Sequence, residues 1–90
     1  MNIQDIIESI ANLNQAVMVH LTKETYSIQE ERLLSMVDEQ TQIYCGKDDS
    51  IAALFDADLF GWQVKAVNWS STGGAPWRDL EITLFRYPQH

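Results

Sequence analysis

Cysteine is nearly absent: Cys45 is the only one in 90 residues, so no disulfide can form within the chain. That fits a reducing compartment. Proline and glycine are scarce, with 2 and 4 residues, and no repeat, linker or low-complexity segment breaks the chain. A single domain over residues 1–90 is the expectation. No apolar run approaches the roughly 18–20 residues that a membrane-spanning helix needs. The opening MNIQDIIESI has no basic segment and already carries Asp5 and Glu8, so it does not read as a signal peptide. The expected location is the cytoplasm. Bases are scarce too, 6 against 13 acids, and the net charge is −7. A nucleic-acid-binding surface needs a basic stripe, and this composition argues against one.

What is present is acid, sorted along the chain. Glu24, Glu30, Glu31, Asp38, Glu39, Asp48, Asp49, Asp56 and Asp58 lie in one stretch with only Arg32 and Lys47 among them. This stretch accounts for the whole net charge. The flanks are neutral, Asp5, Glu8, Asp79 and Glu81 balancing Lys23, Lys65, Arg78 and Arg86. A charge so sorted sets up a lasting negative field, which repels nucleic acid and attracts basic protein grooves. The apolar fraction, 46%, is that of a folded domain. So small a core is thin, however, and pairing with a second copy is one common way to bury more apolar surface.

Ile3, Ile6, Ile7, Ile10 and Leu13 follow i, i+3, i+4 spacing and predict an amphipathic helix over residues 2–14, capped by Asn2 and stopped at Asn14. Residues 16–22 alternate with period two and predict a half-buried strand. Residues 26–46 admit two readings. Ser27 and Glu30 have capping-box spacing, and the helix formers after them allow a helix. RLLSMV and TQIYC equally allow a hairpin turning at Asp38-Glu39-Gln40, and this reading is favoured, because the helix would leave Ile28 apart from the other apolar residues. A helix over 51–60, capped by Asp49 or Ser50 and ended by Gly61, and two strands, Trp62 to Trp69 and Trp77 to Tyr87, complete the pattern. The fold class expected is α+β: a small antiparallel sheet of four to five strands packed by two or three helices in two layers.

Two resemblances attach to these residues. Leu54 to Phe60, Gly61-Trp62-Gln63-Val64 and Leu84-Phe85-Arg86-Tyr87-Pro88 resemble a small bacterial family of unknown function. Its members share a helix ending in Gly-Trp and a last strand closing on Phe-Lys-Arg-Pro. The chain departs from them at Gln63 and at the inserted Tyr87. This likeness implies an α+β fold and no activity. The order MNI-x-D-x-I, a strand, the region of Asp38, then Asp49-Ser50-Ile51 and Gly61-Trp62 is similar to the Listeria-phage family of anti-CRISPR proteins. That likeness implies an acidic DNA mimic that occupies the DNA-recognition groove of a CRISPR effector nuclease. Asp38 and Glu39 match the family's acids near a hairpin tip. Its second acidic cluster has no counterpart here, since KAVNWSSTGGAPW contains no acid.

The candidate contact residues are Asp38 and Glu39 on a projecting hairpin, with Asp48, Asp49, Asp56 and Asp58 supplying the field around them. Trp69 or Trp77 is the candidate apolar anchor, since tryptophan is enriched at binding hot spots; both flank one loop and are also placed to pair across it. Acidic runs also serve simply as solvated faces. His20 and Cys45 lie on predicted strands, but nothing in the sequence supplies a third group to orient them as a dyad. One cysteine, His20 and His90 lack metal-ligand spacing, and Asp56 and Asp58 point about 200° apart on a helix. No cofactor or catalysis is expected. The sequence favours a non-enzymatic inhibitor or adaptor docking on a basic nucleic-acid-binding protein. The competing expectation is a small homodimer of structural or assembly function, joined by sheet edges or the tryptophan hairpin.

Overall fold

The computed structural model describes residues 2–47, 59, 61–71 and 73–87. A helix, α1 (Ile3–Asn12), leads into a four-stranded sheet of β1 (Val17–Gln29), β2 (Arg32–Cys45), β3 (Gln63–Ser70) and β4 (Arg78–Arg86). Asn2 starts α1 through a capping box: its side chain accepts from the Asp5 amide at 2.9 Å, and Asp5 accepts from the Asn2 amide at 3.2 Å. Asn14, with φ 55°, takes the left-handed conformation that turns the chain out of the helix.

The strands run in the order β2-β1-β4-β3. β1 pairs antiparallel with β2, and β3 with β4, but β1 and β4 are parallel, with Val19 beside Leu80 and Leu21 beside Ile82. The expected all-antiparallel sheet is therefore corrected to a mixed one. The apolar alternation of β1 and β4 fits either direction; what decides is that β3 runs in the same direction as β2, so that its antiparallel partner β4 runs with β1. Four strands are present, and α1 is the one helix among the described residues. The expected helix over 51–60 lies outside them, except for Leu59, which is buried in the core.

The core is one layer between helix and sheet. Ile3, Ile6 and Ile10 pack against Val17, Val19 and Leu21 of β1, Leu80, Ile82 and Leu84 of β4, Cys45 and Leu59. The stripe on β1 ends at Lys23, which is buried but charged. Its ammonium lies 5.3 Å from the Trp62 ring and 3.5 Å from Glu39, and Arg86 stacks on the same ring at 4.3 Å. A cation shared between an aromatic face and a carboxylate closes the core at this end without leaving a bare buried charge. The other sheet face, with Met18, His20 and Thr22, carries no helix among the described residues.

Residues 26–46 are neither of the two sequence readings in full. The hairpin exists, but it joins β1 to β2, and its turn is Glu30-Glu31. Asp38 and Glu39 lie inside β2, where Asp38 is the extra residue of a bulge between the pairs Lys23–Glu39 and Glu24–Val37. One long β2 brings Ile43 and Cys45 beside Val19 and Val17. Glu30 and Glu31 have φ of 51° and 65°, the positive values of a type I′ turn, which asparagine and glycine adopt far more readily than glutamate. Replacing Glu30→Asn together with Glu31→Gly should raise the free energy of unfolding by about 1 kcal/mol, read as a higher urea midpoint; an unchanged or lower midpoint would contradict the turn.

Candidate functional site

The most distinctive surface is the outer half of the β1–β2 hairpin. β4 accompanies β1 only as far as Thr25, opposite Arg86. Beyond it β1 and β2 continue as a two-stranded arm to Gln29 and Arg32, along a molecule 47 Å long and 25 Å wide. The root of the arm is braced on the helix-free face, where the Tyr26 ring lies 5.3 Å from Phe85 and 5.7 Å from Tyr87. Beside this cluster Lys65 donates to Glu24 at 2.9 Å. The Tyr26 side chain, and then Glu24, hold the Lys65 ammonium above its ordinary range.

Past that cluster no third layer covers the arm among the described residues. Ile28 is 75% exposed, Met36 71%, Leu33 57% and Val37 50%. Strand alternation sorts them: Ile28, Leu33 and Val37 share the helix-free face with Tyr26, and Leu34 and Met36 lie on the other. Isolated apolar side chains on a surface are ordinary, but here they are contiguous on both faces of one ribbon, as at interaction sites. Glu30 and Glu31 stand at its end.

The sequence-selected residues fall in different places. Asp38 and Glu39 are not at a tip and have structural partners: Asp38 accepts from the Thr25 hydroxyl, and Glu39 faces the buried Lys23. The acids at the tip are Glu30 and Glu31, which carry no turn signal to mark them in the sequence. Asp48, Asp49, Asp56 and Asp58 lie outside the described residues. Trp69 and Trp77 do not pair across the hairpin; Trp69 is opposite Leu80, at the far edge of the sheet from the arm, with the Arg78 guanidinium 5.1 Å from its ring. Trp77 meets Tyr44 edge-on at 6.3 Å. Neither tryptophan adjoins the arm's exposed apolar residues.

His20 and Cys45 are on opposite faces of the sheet, so they cannot form a dyad. His20 Nε2 lies 2.9 Å from Asp79 Oδ1 above a shallow hollow lined by Thr22, Gln40, Gln42 and Glu81. Among the described residues no group of three His, Cys, Asp or Glu side chains gathers as a metal site, and no helix is long and apolar enough to cross a membrane. No protein-family model, curated protein or solved structure matches the chain.

Cys45 is fully buried, and burial pushes its thiol above the ordinary value of 9.0. A thiol whose pKa rises on folding stabilises the fold below its unfolded value, and that contribution is lost as pH climbs above about 9. Alkylation of Cys45 at pH 8 should therefore be slow in the native protein and fast in urea. The alkaline loss of stability should be smaller in Cys45→Ala. Rapid native labelling would contradict this placement.

Proposed function

We propose that the chain is a non-enzymatic protein-binding module that works through the β1–β2 arm. It is an acidic inhibitor or adaptor that docks on a basic, nucleic-acid-binding protein. The observation that carries this reading is the arm itself, with exposed apolar residues on both faces and two glutamates at its end. Apolar area of this kind supplies affinity once it is covered. Acids around it steer the encounter and select a basic partner, and their effect is screened by salt.

The electrostatic half of the reading belongs to residues 24–58 as a whole, which hold the chain's entire net charge. The resemblance to the Listeria-phage anti-CRISPR family supports a DNA-mimicking role, with cytoplasmic action on a defence nuclease as its most concrete form. The placement of Asp38 and Glu39 moves the leading contact away from them to Glu30, Glu31 and the apolar residues behind. Trp69 and Trp77 are no longer the favoured anchors, since both lie away from the arm.

The test compares capture from bacterial lysate by the immobilised wild-type protein and by the doubly reversed variant Glu30→Lys, Glu31→Lys. Neither glutamate has a side-chain contact that the fold depends on among the described residues. The wild type should retain a nucleic-acid-binding protein that elutes with rising salt and is displaced by competitor DNA. The variant should lose it. Equal capture by both, or a captured protein indifferent to salt and DNA, would sink the reading.

A further inference from the structure

We propose that the chain also pairs with a second copy of itself through the open edge of β2, in a two-fold arrangement centred on Ser35. This inference stands without the docking reading, since it concerns the backbone edge of the arm and not a foreign partner.

Among the described residues no strand covers the outer edge of β2, which is 14 residues long. A long, exposed edge is a template for pairing with another chain unless charge, proline or a cover blocks it. Residues 33–37, Leu-Leu-Ser-Met-Val, contain none of these devices. A two-stranded ribbon by itself is marginal in water, so pairing two ribbons into four strands stabilises both.

Hydrogen-bond parity limits the register. A two-residue turn is closed by the carbonyl of Gln29 and the amide of Arg32, so the backbone groups of Arg32 point inward to β1. Those of Leu33, Ser35 and Val37 then point outward. In an antiparallel pair, directly opposed residues must both point their backbone groups into the new seam or both point them away. Odd-numbered residues of one copy must therefore face odd-numbered residues of the other. With Ser35 opposite Ser35, Leu33 faces Val37, Leu34 faces Met36, and Arg32 faces Asp38.

In this register every apolar residue from 33 to 37 meets an apolar one, and the base meets an acid at both ends of the ladder. The faces agree as well, since Arg32 and Asp38 lie on the side of the sheet that holds Thr25 and Gln29. Asp38 retains acceptor capacity beyond its bond to Thr25. The neighbouring registers are worse. Centring on Met36 sets Leu34 against Asp38 and Leu33 against Glu39, and centring on Leu34 sets Leu33 against Ser35 and Arg32 against Met36. Beyond Arg32 the ladder stops, because Glu31 would face Glu39. Two chains of net charge −7 repel each other, and screening of that repulsion makes the dimer tighten with added salt, the opposite of an acidic surface docking on a basic protein.

Within one chain Arg32 and Asp38 are six residues apart on a strand, about 20 Å, so they cannot pair with each other. A charge swap therefore reads contact between copies. Sedimentation equilibrium at high salt should give a two-chain mass for the wild type. At low salt, where the ion pair is least screened, Arg32→Asp or Asp38→Arg alone should weaken association about tenfold, and the two together should restore it. A monomeric wild type, single variants as tight as wild type, or a double swap no tighter than the single variants would overturn the proposal. Because Asp38→Arg also removes the Thr25 contact, a cysteine scan gives an independent reading. In a Cys45→Ala background, mild oxidation should cross-link Ser35→Cys faster than Leu34→Cys or Met36→Cys. Fastest cross-linking at 34 or 36, or none at all, would refute the register.

Discussion

Parallel pairing of β1 with β4 decides where the core can be and where it must end. The two strands carry the most deeply buried alternation in the chain, Val17, Val19 and Leu21 beside Leu80, Ile82 and Leu84. They lie at the centre of the sheet, and α1 covers one side of them. A ten-residue helix is about 15 Å long, whereas a thirteen-residue strand runs to about 40 Å. β1 therefore outruns α1. Lys23, held by Trp62 and Glu39, marks the boundary at which the apolar stripe stops.

The arm follows from that mismatch. Past Thr25 the backbone groups of β1 have only β2 to bond among the described residues, and the side chains of Ile28, Leu33, Leu34, Met36 and Val37, at and beyond that point, are exposed. The apolar residues and the open edge concern different physical needs: side chains must lose water contact, and edge amides and carbonyls must find partners. A foreign protein that covers the faces meets the first need. A second arm laid along β2 meets the second and leaves much of both faces accessible. The two modes can coexist, and their opposite responses to salt separate them.

The elements with strong local signals were legible in the sequence. The stripe of isoleucines, the Asn2 cap and the Asn14 stop placed α1 within about two residues at either end, and β3 and β4 fall within about one residue of the strands expected over Trp62 to Trp69 and Trp77 to Tyr87. Strand direction was not legible, because period two is the same for parallel and antiparallel pairs. The turn was hidden for a different reason. Glutamate is a poor residue at positive φ, so Glu30-Glu31 gives no turn signal, while Asp38-Glu39-Gln40 looks like a loop and is a bulge inside a strand. The same misplacement set Asp38 and Glu39 at the end of a projecting hairpin, whereas they lie at the root of the arm, where β4 still accompanies β1.

If the outer edge of β2 is an interaction surface, amide hydrogen exchange followed by NMR at several protein concentrations will register it residue by residue. Inward amides such as those of Leu34 and Met36 are protected by β1 at any concentration. The outward amides of Leu33, Ser35 and Val37 should gain protection as concentration rises. Free exchange at these three positions, unchanged across the concentration series, would contradict it.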